Sequence, residues 1–106
     1  MIYEYYDADA LIDKPIWAFA YDFNNELNGA RVACPPILGE LANDGKFYEY
    51  KKGTTEKKKS GAVSRQSRMY ADTYVEAVNG YNQLIQDRID KLNEMIAEAE
   101  AKKIKP

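Results

Sequence analysis

The chain has 106 residues, of which 45% are apolar and 30% charged, and a formal net charge of −2. That balance excludes wholesale disorder and fits one domain with a single core. Histidine is absent and Cys34 is the sole cysteine, which excludes an imidazole general base, a Cys/His zinc site and an internal disulfide.

In chain order, residues 2–6 read as a short edge strand. Asp7 is placed to cap a turn over residues 8–12, which Lys14-Pro15 ends, because the residue before proline avoids the helical region. Asp7, Asp9 and Asp13 lie close together, but the glycine and terminal glutamate of a calcium loop are missing, so they read as exposed acids and not as a metal site. The opening residues have no basic region followed by an apolar one, and no apolar run approaches membrane-spanning length. The sequence therefore predicts no signal peptide, no membrane partner and a cytoplasmic location.

Residues 16–23 carry the clearest strand pattern. Trp17, Phe19, Tyr21 and Phe23 fall on one face, and Ala18, Ala20 and Asp22 on the other. Trp17 and Phe19 are expected in the core, and the alanine side should admit a close neighbour. Asn28-Gly29 has the composition of a type I′ hairpin turn, with residues 31–34 as the returning strand. Pro35-Pro36 is expected to stop that strand, since proline cannot donate to a ladder. Residues 36–43 then read as a short helix with a proline in its first turn and Gly45 as its left-handed terminator. Cys34 has no basic sequence neighbour nearer than Arg31, which marks it as a small core residue and not a reactive thiolate.

Residues 46–52 alternate again, with Phe47 and Glu49 on one face and Tyr48 and Tyr50 on the other. Residues 53–61 read as an exposed loop without the glycine-lysine spacing of a phosphate-binding loop, and residues 62–70 as the partner strand, polar on both faces. Thr73 and Glu76 then form a capping box that opens a helix over residues 74–103. Val78, Ile85, Leu92 and Ala99 recur at intervals of seven, flanked by Val75, Ile89 and Ile96 and by Tyr74, Tyr81 and Met95, which makes a broad apolar stripe of the globular kind and not a narrow coiled-coil seam. Gly80 is its weak point, because glycine costs about 1 kcal/mol inside a helix.

These elements predict one α+β domain over residues 1–106, a small, mainly antiparallel sheet of four to five strands packed against one long C-terminal helix. A helix of that length outruns such a sheet. Leu92, Met95 and Ile96 must then bury elsewhere, most simply against a second copy through antiparallel helix pairing.

Charge carries the functional reading. Residues 46–68 hold eight bases and two acids, a local charge of +6, while residues 1–45 hold eight acids against two bases, or −6. A basic stretch interleaved with tyrosine suggests a binding surface for nucleic acid or a nucleoprotein. The candidate contacts are Lys51, Lys52, Lys57, Lys58, Lys59, Arg65 and Arg68 for phosphate, and Tyr48 and Tyr50 for base stacking, all on a hairpin over residues 46–70. The alternative is a small protein-binding regulator or inhibitor, of the accessory kind phages encode, acting through its nine tyrosines. No paired catalytic signature is present, so the expectation is a non-enzymatic module without cofactor or metal.

Overall fold

The computed structural model describes residues 1–22 and 32–106. The expected turn at Asn28-Gly29, and with it Phe23 and Arg31, lies outside the described residues. The architecture is α+β: one antiparallel sheet of six strands and one long helix. The strands are β1 (Ile2–Tyr3), β2 (Ile16–Asp22), β3 (Val32–Leu41), β4 (Lys46–Glu49), β5 (Val63–Ser64) and β6 (Met69–Ala71), arranged β1-β6-β2-β3-β4-β5, and helix α1 is Tyr74–Ala101.

Both edges of the sheet are two-residue strands, which leaves little unpaired ladder for a foreign strand to extend. The strand count exceeds the expected four to five because residues 62–70 do not form one strand. Val63–Ser64 pairs with β4, Arg65–Ser67 turns as a 3₁₀ helix, and Met69–Ala71 crosses to lie between β1 and β2. Tyr70 anchors that crossing: its ring is fully buried, and its hydroxyl donates to the Arg65 carbonyl at 2.7 Å.

Proline does not end β3. Ala18 pairs with Ile37 and Ala20 with Cys34, so Phe19 stands opposite both Pro35 and Pro36. Two residues against one is a bulge, where the ladder is locally interrupted and a missing N–H costs nothing. The expected helix over 36–43 is absent for the same reason. Ile37, Gly39 and Leu41 take period-two positions between two partner strands, and this long-range pairing outweighs the local proline and glycine signals. Gly39 has a further role, since a β-carbon there would fall on the Tyr48 carbonyl oxygen and within 2.6 Å of the Phe47 ring. Gly45 keeps its left-handed conformation at φ +78°, but in the turn between β3 and β4.

The sheet is covered on both faces. Phe19 is fully buried with Ala71 and Ala77 beneath α1, ringed by Trp17, Met69, Tyr81 and Leu84. Gly80 explains its own presence in the helix. A β-carbon there would lie 2.6 Å from Phe19 Cζ, so glycine lets the helix seat directly on the aromatic face. The alanine face admits a close neighbour, as its pattern suggested, though that neighbour is the N-terminal segment and not the helix. Ala8 and Leu11 pack there with Ile16, Ala18, Leu41, Phe47 and Tyr70. Two successive 3₁₀ turns, Tyr5–Asp7 and Asp9–Leu11, deliver them, and neither is capped by a side chain, so Asp7 does not act as the expected cap. Burial of Ala8 and Leu11 sets this turn geometry, not local capping.

Thr73 starts α1 as expected: its hydroxyl oxygen accepts from the Glu76 amide at 3.2 Å and donates to the Glu76 carboxylate at 2.9 Å. That carboxylate also pairs with the Met1 amino group, which ties the edge strand to the helix start.

Candidate functional site

The basic segment folds more tightly than a hairpin over residues 46–70. Beyond β4 the Tyr50 amide donates to the Leu38 carbonyl at 3.1 Å, and Lys51 and Lys58 donate to the Glu56 and Glu49 carbonyls at 2.8 Å each. Tyr50 bridges Lys57 across the turn, and Gly53 supplies the left-handed residue at φ +72°. The result is a compact hairpin over residues 49–58. It leans against the stretch of β3 before Gly39, beyond the end of its pairing with β4.

Between the two lies an open cleft of about 420 Å³. Pro36, Ile37, Leu38 and Tyr50 line it, and Lys51, Lys52 and Lys58 stand around it together with one acid, Glu49. The apolar lining was not legible as a site in the sequence. The available signal was the alternation of Ile37, Gly39 and Leu41 immediately after the prolines, which fits a strand better than a helix.

The structure divides the predicted phosphate contacts into two groups. Lys51, Lys52 and Lys58 come together at the cleft, whereas Lys57, Lys59, Arg65 and Arg68 do not line it. Much of the +6 charge is matched locally. Lys51 pairs with Glu56 at 3.5 Å, Lys57 with Glu40 at 3.2 Å and Lys58 with Glu49 at 3.3 Å. Lys52 and Lys59 form no ion pair among the described residues. The Lys51 and Lys58 pairs are solvent-exposed, so each is worth at most about 1 kcal/mol and can open to a competing anion.

Arg65 serves the fold. Its guanidinium donates from Nε (3.1 Å) and Nη2 to the Tyr5 carbonyl and pairs with Asp9 at 2.9 Å, with the side chain only 17% exposed. That engagement takes it out of the binding surface. Arg68 folds back to donate to the Ser67 carbonyl at 2.9 Å.

Both tyrosines expected to stack on bases are engaged by the fold, Tyr50 by burial and Tyr48 as a half-buried ring beside Lys57. Tyr50 is buried, and its hydroxyl donates to Glu40 at 2.7 Å. Burial, reinforced by the Glu40 hydrogen bond and charge, raises its phenol far above the ordinary range. Tyr48 donates its hydroxyl to Asp44, and the Lys57 ammonium sits 5.5 Å from its ring centre, a cation-π position. That hydrogen bond raises the Tyr48 phenol and lowers the Asp44 carboxyl. The fold uses both rings because the β4 positions facing the helix side of the sheet lie beyond the helix, where Glu40, Lys57 and the tyrosines cover one another.

Cys34 is buried, with its thiol directed to the Pro35 carbonyl at 3.5 Å. Among the described residues, no group of three or more His, Cys, Asp or Glu side chains is placed to hold a metal ion, and no helix is long and apolar enough to cross a membrane. Leu92, Met95 and Ile96 stand on the distal helix at 40%, 51% and 59% exposure. No family model matches the chain, and no curated protein or solved structure matches it.

Proposed function

We propose that this chain is a non-enzymatic binding module that takes an anionic partner, the phosphate backbone of single-stranded nucleic acid, at the cleft between β3 and the 49–58 hairpin. The observation that carries the reading is the convergence of Lys51, Lys52 and Lys58 on one concave, apolar-lined surface. A groove with point charges on its rim tracks a backbone without reading sequence. With Tyr50 buried, affinity rests on charge, and base identity matters little.

The footprint is small, so the salt dependence is shallow. Three phosphate contacts to a single strand give a slope of log K against log salt of about −2, where eight would give about −6. Fluorescence anisotropy with labelled oligo(dT) and oligo(rU) at low salt measures it. Replacing Lys51, Lys52 and Lys58 together with glutamine should abolish binding, while Lys59→Gln leaves it nearly unchanged. Wild-type protein that binds neither oligonucleotide at micromolar concentration, or a triple variant that binds as well as wild type, rules this reading out.

The protein-binding alternative is supported by the exposure of Tyr5, Tyr6 and Tyr74 at 36%, 63% and 54%. Such an interface would depend far less on salt than phosphate binding does.

A further inference from the structure

The apolar stripe of α1 resolves into two lines. Ala77, Gly80, Tyr81 and Leu84 face the sheet. A second line, Val75, Val78, Ile85, Ile89, Leu92, Ile96 and Ala99, runs about a quarter turn further round the helix. Val78 and Ile85 are half-buried beside the sheet, and the rest of the line is uncovered: Val75 is 67% exposed, Ile89 43%, Leu92 40% and Ile96 59%. From Ile89 onward every residue of the helix is exposed, and the molecule measures 65 Å along its longest axis against 27 and 26 Å.

This second line has the order of a two-stranded seam. Val75, Asn82, Ile89 and Ile96 repeat every seven residues, and so do Val78, Ile85, Leu92 and Ala99, offset by three. The first set is β-branched apart from Asn82, and the second is Val78, Ile85, Leu92 and Ala99. The apolar residues alone do not set the strand number; the single asparagine in the first set is the feature that fixes register and selects two strands. We propose that α1 pairs with the α1 of a second copy of this chain, parallel and in register, along Val75 to Ala99.

Asn82 decides the occupant and the direction. It is exposed in the single chain and interrupts an otherwise apolar line. Parallel pairing sets it against the same amide of the second copy, where each hydrogen-bonds the other. In the antiparallel registers that keep one set beside the other, Asn82 faces an apolar residue of the second set, such as Ile85, Leu92 or Ala99, and finds no partner. An unrelated apolar helix leaves it unpaired in the same way.

The flanking positions agree. Parallel pairing brings Tyr81 beside Gln86, Arg88 beside Asn93 and Met95 beside Glu100, so no like charges meet. Because the sheet packs on a different side of the helix, two-fold symmetry places the two sheets on opposite sides of the helix pair. The inference revises the antiparallel pairing expected from sequence and does not depend on the lysine cleft.

Sedimentation equilibrium of the chain should give twice the monomer mass at tens of micromolar. Leu92→Asp with Ile96→Asp should weaken the dimer by about 100-fold or more. Both side chains are exposed in the single chain, so circular dichroism should show the fold kept. Direction is read separately, by oxidising Leu92→Cys in a Cys34→Ala background. A parallel seam gives a disulfide-linked dimer much faster than Glu94→Cys on the outer face does. A wild-type monomer at several hundred micromolar overturns the proposal. So does a dimer that survives the double aspartate, or cross-linking at Leu92→Cys no faster than at Glu94→Cys.

Discussion

Phe19→Ala should cost about 3–5 kcal/mol of folding stability, the usual range for emptying a buried aromatic site. Phe19 has no exposed surface, and it is the contact on which the helix seats. The cavity would open between α1 and the sheet, where Gly80 has no side chain to collapse into it. Domains of this size have about 5–15 kcal/mol in total, so the loss removes a large share of the stability and, at the low end of that range, leaves the variant at the edge of folding at room temperature. Urea titration followed by the fluorescence of Trp17, the sole tryptophan and a neighbour of the same cluster, measures the loss. In the thermal transition the fall in Tm should exceed about 12 °C. A loss below about 1 kcal/mol would mean that the helix does not rest on this ring, and the packing of the whole helix face would have to be redrawn.

Arg65→Ala should cost about 1.5–3 kcal/mol, in line with hydrogen bonds from a charged donor. Asp9→Asn should cost well under 1 kcal/mol. The two substitutions act on the same guanidinium but remove different partners. Asp9 is 81% exposed, so its attraction is screened by water. The Tyr5 carbonyl receives two N–H groups from Arg65 and holds the first 3₁₀ turn against the crossing segment that leads to β6. Arg65→Lys should restore only part of the loss, because an ammonium cannot present the two-pronged donor. Equal losses for Arg65→Ala and Asp9→Asn in urea titrations would show that the ion pair carries the tie. Binding at the lysine cleft should be unchanged in Arg65→Lys, since this side chain does not line the cleft.

The basic segment shows why a charge count overstates a binding surface. Eight bases within residues 46–68 are a property of the sequence, but their acidic partners come from elsewhere in the chain as well as from within it. Glu40 reaches Lys57 from β3, and Asp9 reaches Arg65 from the N-terminal turns. Sequence separation hides both pairs, and only the strand order brings them together. The same holds for Tyr50, whose hydroxyl finds Glu40 on β3, diagonally across the ladder.

The features legible in the residues alone were local and periodic. The alternation over residues 16–22 made β2, and the Thr73–Glu76 box and the apolar repeat made α1. From these followed the α+β class, the buried Phe19 and a helix longer than its sheet. The tertiary structure decided what rests on distant partners. A bulge opposite Phe19 carries β3 through two prolines, because pairing with β2 before and after the bulge, and with β4 further along, outweighs a local stop signal. Close contact with Phe19 turns Gly80 from a defect into a requirement. The crossing from β5 to β6 splits what reads as one strand, because Tyr70 and the strands on either side of β6 hold its second half. Each of these is a long-range pairing, and its energy is invisible until the chain has closed on itself.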